Sequence, residues 1–369
     1  MKGLNVAGWL IVTGLVITLL VVASNLLIPF VIALVVVFLI QSLQELIASV
    51  RIGTWGLPAW LSFLLAILSI VGFLGVVGTM ISSTINAMSA SAEQYALNAE
   101  TVVDRLLKPF GFDAASIDVD QYLGDLDFGS MVGGVLNMIS SVASNFFLIL
   151  IYVGFLLLEA RIIDRKWRGL FTSKEEYDRS QLILGRINSA IKTYISVKTL
   201  TSVVTGVMSY IVLLIVGVDF APFWAFLIFL LNYIPTIGSL IATIFPALLA
   251  VVQFPTLGPA IVTLGGVSAV QIVVGNIMEP RMMGSSLNIS PFIVILSLSV
   301  WGVLWGVAGM VLCVPITVIM MIIFAQFPGT KRIAILLSED GEVNDLSYRT
   351  FEDIKPRNVE SSDQLYQRG

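Results

Sequence analysis

Residues 221–253 read APFWAFLIFLLNYIPTIGSLIATIFPALLAVVQ, thirty-three positions without a charged side chain. The apolar arms on either side suit helices, and Asn232-Tyr233-Ile234-Pro235-Thr236-Ile237-Gly238-Ser239 between them breaks the pattern. Pro235 has no amide hydrogen to donate and biases Ile234 away from helical backbone. Gly238 permits positive φ. Backbone groups freed at such a break need partners, and Asn232, Thr236 and Ser239 are placed to supply some. The same carbonyls and amides can instead meet a polar solute or a cation. A Pro-kinked helix whose polar side chains mend their own backbone fits these residues equally well.

The surroundings extend the pattern. From Thr199 to Thr330 the only charged residues are Asp219, Glu279 and Arg281. That is far more than the roughly 20 residues one membrane span needs. Two further breaks interrupt it: Gly275-Asn276-Ile277-Met278-Glu279-Pro280-Arg281, and Trp301-Gly302 with Trp305-Gly306 and Gly309. Irregular backbone at membrane depth is tolerated only where protein buries it or where it lines a cavity. A simple anchor has little use for such breaks, whereas a transport protein does.

Composition excludes other classes. The chain is 57% hydrophobic and 12% charged, with a mean hydropathy of +0.96, as an integral membrane protein requires. There is no histidine, which removes the commonest metal ligand and general base. Cys313 is the single cysteine, so no intramolecular disulfide forms. No phosphate-binding Gly-x-x-x-x-Gly-Lys loop occurs. No catalytic constellation, metal site, cofactor or nucleic-acid partner is expected.

Charge sets the topology. Spans are expected at Leu4–Ser24, Ile28–Ile47, Pro58 to about Ile81, Asn137–Leu158 and Val197–Val216, with Gly53, Gly56 and Pro58 turning the chain between the second and third. Residues 82–136 carry eight acidic side chains against Arg105 and Lys108. Leu97, Val102, Leu106 and Leu107 outline an amphipathic helix there, ended by Pro109-Phe110-Gly111. Residues 161–198 carry nine basic side chains and four acidic ones. The excess of Lys and Arg puts that loop in the cytoplasm, residues 82–136 outside, and both termini inside.

Beyond Val216, residues 221–253 and 291–327 read either as broken spans or as re-entrant hairpins entering from opposite faces, with 257–277 crossing between them. The fold expected is therefore all-α: a polytopic membrane bundle of about eight membrane segments, with two opposed broken or re-entrant hairpins in its C-terminal half. Its divisions are spans one to three (1–81), an acidic external segment (82–136), span four (137–160), a basic cytoplasmic helical loop (161–196), a transport region (197–330) and a flexible cytoplasmic tail (331–369).

Candidate pathway residues are Asn232, Tyr233, Pro235, Thr236, Gly238, Ser239, Gln271, Asn276, Ser297, Trp301, Gly302, Trp305, Gly306 and Gly309. Gln271 and Asn276 can face a cavity or bond across helices. Trp301 and Trp305, at i and i+4, share a face and serve either as interfacial anchors or as a gate wall. Gly302, Gly306 and Gly309 permit close backbone packing. Asp219, Glu279, Pro280 and Arg281 are candidates for coupling or gating, because ionisable groups at membrane depth are functional by default. The bland reading puts Glu279 and Arg281 in a watery interfacial loop, turned by Pro280, and Asp219 in an outer loop beside Gly217 and Pro222.

Taken in order, Asn232-Tyr-Ile-Pro-Thr-Ile-Gly-Ser239, Gly275-Asn-Ile-Met-Glu-Pro-Arg-Met-Met-Gly284, Trp301-Gly through Val314-Pro315 and Ile333-Ala-Ile-Leu-Leu-Ser338 resemble the autoinducer-2 exporter family of permeases. The resemblance implies a secondary transporter in the bacterial inner membrane, assembled as a homo-oligomer, with a pentamer as the expected number. The uncharged hydrogen-bonding groups of Asn232, Thr236, Ser239, Gln271, Asn276 and Ser297 suit a small polar uncharged cargo such as autoinducer-2, and H+ or Na+ is the expected coupling ion. A cation/proton antiporter and a non-transporting membrane scaffold are the competing expectations. Membrane lipid is the other partner expected.

Overall fold

The structure, a computed structural model, describes residues 2–49, 57–107, 144–160, 162–284 and 287–343. Every regular element among them is helical: α1 (Lys2–Val22), α2 (Ser24–Ser49), α3 (Ala59–Leu107), α4 (Phe146–Glu159), α5 (Ile163–Arg168), α6 (Lys174–Val216), α7 (Ala221–Leu231), α8 (Ile237–Gln253), α9 (Gly258–Val273), α10 (Glu279–Met283), α11 (Pro291–Ala325) and α12 (Lys331–Leu337). Among the described residues, five helical stretches are long and apolar enough to cross a membrane: 24–49, 59–88, 174–216, 258–283 and 291–325. Shorter apolar helices cover 11–22, 146–159, 221–231 and 237–253. The chain is an all-α polytopic membrane protein. The turn at Gly53 and Gly56, the break at Pro109-Phe110-Gly111 and the first residues of the fourth span lie outside the described residues.

Two boundaries drawn from the sequence fall inside single helices. The division at 81/82 lies within α3, whose 49 residues extend ~73 Å at 1.5 Å per residue. The division at 196/197 lies within α6, 43 residues long. Hydropathy changes along both helices, yet nothing stops them, since no proline or cap interrupts either one. Caps do set the ends of α6. Ser173 accepts the Glu176 amide at its start, as the Ser-x-x-Glu spacing of a capping box provides. At its end Gly217 (φ 81°) turns left-handed. Val218 N–H then bonds the Leu213 carbonyl at 2.9 Å and Gly217 N–H the Leu214 carbonyl at 3.1 Å, which satisfies carbonyls the helix end leaves open.

The 221–253 block is a helical hairpin whose ends meet. α7 and α8 pack side by side, and Gln253 at the end of α8 returns to the start. Its Oε1 accepts the Asp219 amide at 2.8 Å, and its Nε2 donates to the Gly217 carbonyl at 2.8 Å. The tip differs from expectation in one respect. Positive φ falls on Thr236 (φ 60°, ψ −59°), and Gly238 lies in ordinary helix. A Cβ on Gly238 would sit 1.8 Å from the Leu231 carbonyl oxygen, so close approach of the two arms is what requires glycine there.

The 275–281 stretch does not break its helix. α9 runs through a π-helical turn at Val274–Met278 directly into α10, with the Glu279 amide bonded to the Val274 carbonyl five residues back. Pro280 follows the π turn directly, and that turn carries the helix past the proline's missing amide. Single π turns of this kind collect at functional sites.

The 291–327 block also doubles back. Gly306 is non-helical (φ 59°, ψ −138°), and a Cβ on Gly309 would lie 1.9 Å from the Trp301 carbonyl oxygen. Residues eight apart in a straight helix are separated by ~12 Å. The base closes through Ser290 N–H to the Leu337 carbonyl at 3.1 Å and a bridge between Ile289 and Ser338. The segment expected to be flexible from 331 onward is therefore packed as far as Val343, which is 2% exposed.

Among the described residues, apolar burial forms two separate cores. The larger gathers α6 to α12, with part of α3 against it. A smaller one joins α2, α3 and α4 through Ala33, Ile40, Ala66, Ile149 and Val153.

Candidate functional site

The site is built around one face of α6. Tyr194, Lys198, Thr201, Ser202, Thr205 and Ser209 are buried at helical spacing along it. Thr201 and Thr205 turn their hydroxyls onto the carbonyls of Lys198 and Thr201, at 3.1 and 2.8 Å. Their short side chains let other elements come close. Beside them, a Cβ on Gly206 would lie 3.1 Å from Phe229 Cβ and 3.2 Å from the Ala225 carbonyl oxygen.

Lys198 is the group that sequence reasoning missed. Its ammonium donates to both carboxylate oxygens of Glu279, at 2.8 and 3.0 Å. The two side chains retain 7% and 18% of their exposure. The watery interfacial loop expected for Glu279 is thus replaced by an ion pair between buried Lys198 and half-buried Glu279, because α9 and α10 form one helix packed along α6. Arg281, two residues on, is exposed, and the two charges do not act together. A signal was present in the sequence: Lys198 lies one residue inside the apolar run that begins at Val197, where a lone lysine needs a partner. Counting Lys198 with the basic loop before it hides that signal.

The first hairpin brings its tip to the same level of α6. Asn232 is 8% exposed and donates from Nδ2 to Ser202 Oγ at 3.0 Å. The Tyr233 hydroxyl donates to Thr199 Oγ1 at 2.8 Å. Ser239 mends the turn by donating to the Thr236 carbonyl at 2.8 Å, and Pro235 and Thr236 form the turn itself. The second hairpin contributes Cys313 and Ser297, which lie against each other although sixteen positions separate them in sequence. Cys313 and Glu279 both lie within electrostatic reach of buried Tyr194, and Cys313 within reach of Lys198. Ser297 otherwise donates to the Val294 carbonyl at 2.9 Å.

The other candidates sit apart from this cluster. Trp301 and Trp305 face each other with ring centroids 5.2 Å apart, and Trp305 Nε1 donates to the Leu20 carbonyl at 3.0 Å, which ties the second tip to α1. Gly302, Gly306 and Gly309 shape that turn. Asn276 is exposed on the π turn. Gln271 points a buried Nε2 to which no described residue offers an acceptor.

Asp219 is exposed at the base of the first hairpin, where it accepts the Tyr95 hydroxyl at 2.8 Å. Burial, and then the Asp219 carboxylate, push the Tyr95 phenol above its ordinary value of 10.0. Asn98 on the same helix donates to the Gln253 carbonyl at 2.9 Å. An open groove of ≈ 320 Å³ lies between α3, α6 and α7, lined by Phe73, Val207, Phe226, Phe229 and their neighbours. Its walls are apolar, which suits hydrocarbon better than a polar solute.

Opposite ends of α6 carry the two hairpin bases. Gly217, which follows Val216, bonds the first, and Arg179, near Lys174, donates to the Gln326 carbonyl at the end of the second. Between them lies a buried cluster of hydroxyls, one amide and one ion pair inside an otherwise apolar half. It has hydrogen-bonding groups for a polar solute and no nucleophile–base pair. Among the described residues no group of three His, Cys, Asp or Glu side chains gathers to hold a metal.

The sequence is similar to those of known transport proteins. The AI-2 transport protein TqsA of Escherichia coli (strain K12) is 31% identical over 320 residues, covering 86% of this chain and 90% of TqsA. A Haemophilus influenzae protein whose name specifies transport and no cargo is 33% identical over 330 residues, covering 88% of this chain and 92% of its own length. The family model described as AI-2E family transporter matches residues 9–329. The chain belongs to the AI-2E family of transporters.

Proposed function

We propose that this protein is a secondary transporter that exports a small, polar, uncharged metabolite, with autoinducer-2 as its cargo, across the bacterial inner membrane. The observation that carries the reading is the polar cluster at the tip of the first hairpin, where buried Asn232 and Ser202 bond each other beside half-buried Tyr233 and Thr199. A hydroxyl-rich solute leaving water needs such partners. The similarity to TqsA, named for AI-2 transport, favours this cargo. In the membrane, the two hairpins are re-entrant and enter from opposite faces; the distribution of Lys and Arg supports cytoplasmic termini and an external 82–136 segment. The α6–α11 half is the moving unit, and α1–α4 form a scaffold that holds a homo-oligomer, pentameric by family resemblance.

Export from loaded cells tests the cargo. Overexpression lowers internal and raises external autoinducer-2. Unchanged levels on both sides would reject it. A cation/proton antiporter would draw on the Glu279 carboxylate. Sodium-dependent pH change in everted vesicles, without signal export, would decide for that reading.

A further inference from the structure

We infer that the groove between α3, α6 and α7 binds one acyl chain of a membrane phospholipid, and that the seated chain steadies the tip of the first hairpin. Neither part depends on the cargo. Both need only membrane residence, to which the long apolar helices already point. Three observations carry this.

First, the groove lies at membrane depth and runs with the lipid. Its α3 wall, Phe73, belongs to the 59–88 stretch and its α6 wall to the 174–216 stretch, both long and apolar enough to cross a membrane. Along α6 it extends from Val203 to Tyr210, and along α7 from Phe229 to Pro222. Seven residues of helix rise ~10 Å, so the groove follows the helix axes, the direction in which acyl chains also lie. Phe73, Val203 and Val207 on its rim are roughly half exposed. In a bilayer that exposure is to hydrocarbon.

Second, its size and chemistry select the occupant. The volume is ≈ 320 Å³, and no lining residue carries a charge. A whole helix, ~10 Å across, would fill roughly 800 Å³ over the same length. A helix from a second copy therefore does not seat in the groove. A polar solute would give up its hydrogen bonds to water there without replacement. A slender apolar chain meets both conditions. On its inner side the groove is closed at buried Gly206, where a Cβ would lie 3.1 Å from Phe229 Cβ and 3.2 Å from the Ala225 carbonyl oxygen.

Third, the wall of the groove also supports the hairpin tip. Phe73 and Phe226 pack edge to face with centroids 6.1 Å apart. Phe226 stacks on Phe229 at 6.1 Å, and Phe229 packs edge to face with Tyr233 at 5.8 Å. Tyr233 closes the row by donating to Thr199 Oγ1 at 2.8 Å. Phe226 and Phe229 are only half-buried, and a ring with no neighbour on one side forfeits dispersion contacts there. An occupied groove restores those contacts and holds the row in place. An empty one leaves Tyr233 and the tip freer to move.

The experiment titrates the full-length protein, purified in detergent micelles, with a phosphatidylethanolamine that carries a photoactivatable diazirine midway along one acyl chain. Labelling of peptides spanning 203–210 and 222–229 saturates at equimolar lipid, while labelling of the exposed apolar helix at 11–22 keeps rising. Val207→Trp fills the groove from an exposed position and lowers groove labelling several-fold. Met208→Trp, exposed on α6 but outside the groove, leaves it unchanged. Hydrogen exchange at 228–240 slows as the native groove fills, and in Val207→Trp it is slow before lipid is added and does not respond to it. Groove labelling that rises in parallel with that of 11–22, or that Val207→Trp leaves unchanged, overturns the lipid site. A saturable site whose filling leaves exchange at 228–240 unaltered rejects the link to the tip. An unlabelled groove, in a protein whose Val203→Cys variant in a Cys313→Ser background cross-links to a second copy, assigns the groove to an interface between copies and rejects the lipid. Should Val207→Trp fail to assemble, Val203→Phe fills the same groove from another exposed position and carries the same test.

Discussion

Thr236 carries the strain of the first hairpin tip. Its backbone lies at φ 60°, ψ −59°, and the Ile237 amide bonds the Pro235 carbonyl at 2.6 Å. This is the rare, strained γ-turn with positive φ at its centre. Such a conformation costs on the order of 1–3 kcal/mol for a residue with a Cβ, so Thr236→Gly raises thermal stability in detergent, by about 1 kcal/mol after the extra chain entropy of glycine. The neighbouring glycines divide by mechanism. Gly238→Val and Gly309→Val drive a side chain into the carbonyl oxygens of Leu231 and Trp301, and each is expected to cost roughly 3 kcal/mol or more. Gly306 has open space around it, so crowding, the reason first expected there, does not apply. Its φ of 59° and ψ of −138° are what exclude side chains, and Gly306→Ala and Gly306→Val lose similar stability, about 1–3 kcal/mol. Thermal unfolding of the four variants separates the two mechanisms: a marked difference between Ala and Val at 306 would point back to crowding.

At the scale of elements, the ends of the first hairpin lie together and those of the second lie together. The Asp219 amide is 2.8 Å from Gln253 Oε1. Single cysteines at 219 and 255, in a Cys313→Ser background, are therefore expected to react with an impermeant thiol reagent from the same side, the outside. Reaction of 255 from the cytoplasm alone would mean that the two arms form one broken span in the membrane. The tip is held to α6 by the Asn232–Ser202 bond. Asn232→Ala leaves Ser202 buried with its partner gone, which costs about 1–3 kcal/mol and should increase hydrogen exchange across residues 228–240.

At the scale of the molecule, α3 links two cores. Its first half packs with α2 and α4, and its far half docks on the base of the first hairpin through Tyr95–Asp219 and Asn98–Gln253. Tyr95→Phe combined with Asn98→Ala is expected to loosen that docking, read as faster exchange in 217–221 and 250–256 with the α2–α4 core unchanged. Because the folded-state phenol lies above its ordinary value of 10.0, the folded chain holds the Tyr95 proton more tightly than the unfolded one. Its contribution is fully present below pH 10 and is lost as pH rises through the higher folded value. The docking does not change between pH 6 and pH 9, and exchange that accelerated within that window would assign the pH response to another group.

Sequence by itself determined the class of the molecule: 57% hydrophobic residues and long uncharged runs leave no alternative to helices in a membrane, where each backbone group must bond within its own segment. It also marked the breaks, since Pro235 and Gly306 act through local backbone chemistry that needs no partner. Local chemistry misled at Pro280, where a π turn carries the helix past the proline, and at 331–343, where the second hairpin base supplies partners the segment lacks alone. Only the tertiary structure joined Lys198 to Glu279, eighty-one residues apart, and Asn232 to Ser202. Long-range pairing depends on how the helices are laid side by side, which hydropathy along one chain does not encode, and a charge reveals its partner only once the low-dielectric surroundings that demand one have been assembled around it.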